Sequence, residues 1–101
     1  MDVTSNQPYK VYHFDSRNFP GGYLREIMPN LPQPEWPRDY HIAAEVQVPD
    51  GVDPLEFCFQ KTNNAESPWT KNQEVKVLTD RPRSTSVSDV VVYPNGTVHK
   101  Y

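Results

Sequence analysis

A single cysteine, Cys58, and only four glycines stand in 101 residues. One thiol closes no internal disulfide and builds no cysteine zinc cluster. No apolar run approaches the ~18–20 residues that span a membrane. The opening MDVTSNQPYK has no basic start followed by an apolar stretch, as a signal peptide requires. These absences predict a cytoplasmic protein without membrane contact, and they reduce Asn95-Gly96-Thr97 from a glycosylation acceptor to a turn. Charge of one sign is missing too. The net charge is −3, with four Lys/Arg against seven Asp/Glu in residues 1–50 and six of each in 51–101. No basic face marks the chain as a binder of DNA or RNA, and the acidity is mild for a DNA-mimicking decoy.

What is present is proline and aromatic weight. Eleven prolines are about twice the average share, and the 36% apolar content is low. Aromatics at 12% offset part of that deficit, because each buries a large area. A chain of this length buries roughly 60–70% of its unfolded surface, enough for one modest core. The expectation is a flexible tail over 1–7 and a single domain over 8–101.

Tyr9–Phe14 reads as a strand with aromatic residues on both faces. Tyr40–Val48 is the cleanest strand: Tyr40, Ile42, Ala44, Val46 and Val48 alternate with His41, Ala43, Glu45 and Gln47, which predicts one buried and one wetter face. Pro29, Pro32, Pro34 and Pro37 between these strands predict a stiff, extended strap. Its two P-x-x-P spacings suit a recognition-groove ligand; the plainer reading is a strap that packs Leu31 and Trp36 on the sheet. Asp53-Pro54-Leu55-Glu56 opens a short helix, with Asp53 as cap, Pro54 at its first position and Glu56 completing a capping box. Leu55, Cys58, Phe59 and Thr62 share one face of it. Cys58 there reads as a small core hydrophobe. Asn63-Asn64 ends the helix, a loop containing Trp69 follows, and Glu74–Leu78 forms a short strand. Val90–Tyr93, an Asn95-Gly96 type I′ turn and Thr97–Tyr101 predict a closing hairpin. The expected core is Val11, Tyr40, Ile42, Ala44, Val46, Leu55, Cys58, Phe59, Val75, Val77, Val90 and Val92. The fold class is α+β: a mainly antiparallel sheet of four to five strands with one short helix packed on it.

Motifs that carry chemistry are sparse. G-x-S-x-G, a phosphate loop, a dinucleotide glycine pattern and H-E-x-x-H are all missing. His13, His41 and His99 fall on expected strands; His13 and His41 would face each other if those strands pair, but a zinc site needs more ligands. No catalytic residue, metal or cofactor is assigned. Arg81, Arg83, Ser84, Thr85, Ser86, Ser88 and Asp89 form the one polar cluster. Two guanidiniums beside hydroxyls suit a phosphate or a partner carboxylate. The plainer reading is a loop whose hydroxyls serve its own backbone, with Arg83 paired to Asp89.

Asp53–Asn64 (DPLEFCFQKTNN), the following PWTKNQEVKVL and above all RSTSVSDVVV resemble the YodL-like small proteins and domains of phages, plasmids and conjugative elements. In that group a capped helix ending in a T-N step precedes an R-S-x-S-V-G-D-V-[VI] segment and a closing strand, and YKVYHF is similar to its first strand. Ser88 departs from it, standing where the group has glycine; the departure implies that this position has no need of positive φ. Relatives often continue past the position of Tyr101 into a further aromatic segment. The resemblance implies an accessory protein of a mobile element and supplies no chemistry. The expected function is therefore non-enzymatic: protein–protein interaction with a host or phage protein, inhibiting or redirecting a host system. Tyr23, Trp36 and Trp69 are the expected aromatic anchors. Nucleic-acid or nucleotide binding through Arg81, Arg83, Lys100 and the hydroxyl loop, an antirestriction-type DNA mimic and a structural virion component are the alternatives. A homodimer would follow if Thr97–Tyr101 or Tyr9–Phe14 forms an uncovered sheet edge.

Overall fold

The computed structural model describes residues 7–15, 35–64, 68–80, 82–86 and 88–101. Residues 1–6 of the expected 1–7 tail, Tyr23, Leu31, the prolines at 29, 32 and 34, and Arg81 lie outside them; Gln7, expected to end the tail, is instead the first residue of a strand.

The described residues build an α+β fold. Strands β1 (Gln7–Phe14), β2 (Tyr40–Val48), β3 (Val75–Val77), β4 (Val90–Val92) and β5 (Val98–Lys100) form one sheet in the order β3-β2-β1-β4-β5. Every neighbouring pair is antiparallel. Helix α1 (Pro54–Lys61) covers one face, and a 3-10 turn (Trp69–Lys71) lies in the expected loop. Asp53 caps α1 as expected, accepting from Leu55 N at 3.0 Å and Glu56 N at 3.5 Å. Glu56 stays exposed, so both capping bonds end on Asp53. The helix ends at Thr62, whose N–H and hydroxyl both donate to the Cys58 carbonyl.

Val11, Val46, Val48, Val91 and Cys58 form the apolar centre between sheet and helix, with Tyr9, Leu55, Phe57, Val75, Tyr93 and Tyr101 packed around it. Each buried valine contributes about 1.5–3 kcal/mol. Val11, Ala44, Val46, Val90 and Cys58 are buried as expected. Leu55, Phe59, Val75 and Val77 are only half-buried, because a short helix and a three-residue edge strand leave their flanks open; Val92 is half-buried because it lies beside Lys10 and Val98 on the face away from the helix, Val91 taking the core position instead.

The largest departure is in β2. Val11 pairs with Ala44, but the next residue, Tyr12, pairs with Ile42, so Ala43 is an extra residue in the strand. Such a bulge reverses the side-chain alternation beyond it. Ala44, Val46 and Val48 face the helix, whereas Tyr40 and Ile42 turn to the opposite face beside Tyr12. His41, expected on the wetter face, turns to the helix side opposite His13, and the two rings lie 6.2 Å apart.

The closing hairpin is present with a different turn. Gly96 N donates to Tyr93 O at 2.9 Å and Tyr93 N to Thr97 O at 2.8 Å. Gly96 takes φ 94°, while Asn95 does not enter the positive region. That excludes type I′, which needs both central residues there, and matches a three-residue loop with one left-handed glycine. Pro94, with φ fixed near −65°, favours this solution.

Candidate functional site

The polar cluster singled out in the sequence is assembled, but around itself. Asp89 is fully buried and carries the loop. Its carboxylate receives two bonds from Arg83, Nη1 and Nη2 each at 2.8 Å, in the fork geometry that makes such pairs strong. Phe14 N donates to it at 3.0 Å and Ser86 N at 2.7 Å. Arg83 also donates to the Phe14 and Ser84 carbonyls and lies 4.8 Å from the Phe14 ring. One carboxylate thus ties the loop to the end of β1 and neutralises Arg83.

Beside Asp89 runs a chain of hydroxyls whose direction can be derived. Thr62 Oγ1 spends its proton on the Cys58 carbonyl at 2.7 Å. Its 2.6 Å contact with Thr85 must then be a bond donated by Thr85. Thr85 Oγ1, its own proton committed, accepts from His13 Nε2 at 2.9 Å. His13 is therefore the neutral tautomer carrying its proton on Nε2. Burial pushes its pKa down to about 4, against the Asp89 carboxylate, which pulls upward; Arg83 and His41 add to the lowering. His13 Nδ1 and His41 Nε2 are buried without a hydrogen-bond partner. Among the described residues no group of three or more His, Cys, Asp or Glu is placed to hold a metal ion.

Trp69 is 1% exposed, which corrects its reading as a surface anchor. Its indole N–H donates to Arg83 O at 2.8 Å and its backbone N–H to Asn64 Oδ1 at 3.1 Å. It is the apolar lid of the loop, 6.4 Å from the His13 ring. Ser84 Oγ accepts from Asn64 N, so the T-N-N step at the helix end and the R-S-T-S loop hold each other. Ser86 is exposed.

Ser88 takes φ 83° and is buried. The departure from glycine therefore does not release the backbone: the left-handed conformation is kept with a side chain present. It lets Ser88 N reach Tyr101 O at 2.9 Å and turns Ser88 O toward the Tyr40 hydroxyl at 2.6 Å. Tyr101 OH donates in turn to Leu55 O, and burial raises its pKa. Cys58 is pushed up to about 12 by burial, which leaves it a protonated core thiol.

Trp36 does reach the surface, 37% exposed. Its ring stands edge-on to Tyr12 at 4.8 Å and to Tyr40 at 5.3 Å, on the sheet face away from the helix. Behind it Asp39 N–H donates to Glu35 O and Glu35 N–H to Asp39 Oδ2. Arg38, paired with Glu35 and Asp39, holds the Asp39 carboxyl below its usual range. On the same face an open groove of about 340 Å³ runs between Pro8, Lys10, Val92, Tyr93, Pro94 and Gly96.

Comparison of the chain with family models, curated protein sequences and solved structures gives no match.

Proposed function

We propose that the chain is a non-enzymatic protein-interaction module, encoded by a phage or other mobile element, that acts on a host or phage protein. The mobile-element setting rests on the YodL-like resemblance. The single observation that supports interaction is Trp36: a large aromatic standing exposed on the sheet, held by Tyr12 and Tyr40 rather than buried by them. Preorganised aromatics of this kind dominate interface energetics.

Arg83 weighs against the anion-loop alternative, because both of its terminal nitrogens are spent on Asp89. The test is affinity purification from a host lysate with wild type and Trp36→Ala, both first shown folded by circular dichroism. The reading predicts a defined partner retained by wild type and lost with Trp36→Ala. A partner captured equally by both would contradict it.

A further inference from the structure

We propose that β5 is a self-complementary edge through which two copies of the chain join their sheets about a two-fold axis. In an antiparallel pair, residues that exchange hydrogen bonds alternate with residues that do not. Tyr93 donates to Thr97 O, and Tyr101 to Asp89 O. The alternation therefore makes Val91↔His99 a bonded pair, and Val92↔Val98 and Val90↔Lys100 non-bonded ones. The N–H and C=O of Val98 and Lys100 consequently point away from β4. All of β5 is exposed, with Val98 at 44%.

Those four groups select one arrangement. In an antiparallel pair centred on His99, Val98 of each copy lies opposite Lys100 of the other. Both residues then exchange both of their outward bonds, four in all. A centre at Val98 would run the partner into its turn at Gly96. On the face away from the helix, each exposed Val98 meets the alkyl stem of a lysine, and no two lysines lie directly opposite. On the helix side His99 meets its own copy. The other edge, β3, is less suited. Val75 N is already given to Asn72 O, and joining β3 to β5 would propagate without closing. This surface is separate from Trp36, so the two readings fail independently.

Sedimentation velocity at pH 8 tests it, from about 10 µM to about 1 mM, the range suited to a small interface. Wild type is expected to rise with concentration toward twice the 11.7 kDa of one chain. Lys100→Pro removes one outward N–H, leaves the β4 ladder untouched, and is expected to stay monomeric with an unchanged thermal midpoint. Val98→Lys sets two lysines opposite each other and should weaken association at least about tenfold. Adding Lys100→Glu to it restores opposite charges and association, and it decides the matter should the proline variant not fold. A wild type that stays at the mass of one chain throughout, or variants that associate as tightly as wild type, would overturn the proposal.

Discussion

Replacing Asp89 by alanine is the sharpest perturbation of the loop. The residue is fully buried and accepts four hydrogen bonds, two from Arg83 and one each from Phe14 N and Ser86 N. Arg83 is 29% exposed at its side chain, so its orphaned charge can turn partly to water. The two backbone N–H groups have less recourse, and each costs about 1–3 kcal/mol when left unpaired. Breaking a buried pair from one side costs about 3–5 kcal/mol, which matches the sum of those losses. A domain of this size has about 5–15 kcal/mol in total. Asp89→Ala should therefore lose a fifth or more of the stability, lowering the thermal midpoint by about 12–40 °C. Urea unfolding followed by circular dichroism measures it, with wild-type and variant slopes compared to confirm the same transition. A loss below about 1 kcal/mol would refute the claim that Asp89 holds the loop.

Three further outcomes follow from the same region. Ser88→Gly should be neutral to stabilising by about 1 kcal/mol, because glycine takes φ 83° without the penalty an L side chain meets; Ser88→Val should cost more than about 2 kcal/mol, and equal midpoints for the two would refute the strain. His13 sets a pH dependence. Below about 6.5 the unfolded chain takes up a proton that the folded imidazole refuses until about pH 4. Its contribution is complete above 6.5 and is lost as pH falls to 4, at up to ~1.4 kcal/mol per unit; urea midpoints at pH 7.5 and 4.5 should fall further for wild type than for His13→Gln, and parallel curves would contradict it. Cys58, buried with its pKa at about 12, should react with a maleimide only after unfolding, and labelling of the native protein at the rate of free cysteine would show that the sheet valines do not cover it.

Much of the architecture was legible because each signal was local. Asp53-Pro54 announces a helix start by hydrogen-bond arithmetic, and the run of valines at 90–92 with Asn95-Gly96 announces a hairpin. The β2 bulge was not legible. Ala43 sits within a flawless alternation, and only the partner strand, where Val11 and Tyr12 face Ala44 and Ile42, reveals the extra residue. From that one residue follow the misplacement of Tyr40 and Ile42 and the turn of His41 from the expected wetter face to the helix side, where it stands opposite His13 as pairing of the two strands would place it. The loop was half legible. Arg83 and Asp89 are six apart, and their pairing was one of two readings. What decides between them is Thr62 and Trp69, which reach Thr85 and Arg83 from 23 and 14 residues away in the chain. The signal that could have pointed there is Asn64, just past the helix end, a short polar side chain of the kind that bonds nearby backbone. Trp69 was misread as an anchor because hydropathy alone does not tell a buried indole with a carbonyl to donate to from an exposed one.

The Arg83–Asp89 loop is the closure of the fold rather than a surface for a ligand. Native-state hydrogen exchange reads this directly at the amides of Phe14, Thr85 and Ser86, which donate to Asp89, to Thr62 O and to Asp89 respectively. The prediction is that all three exchange only through global unfolding, with the same free energy as the β1 and β2 core. Exchange of Thr85 and Ser86 by local opening, orders of magnitude faster than Val11 or Val46, would contradict it.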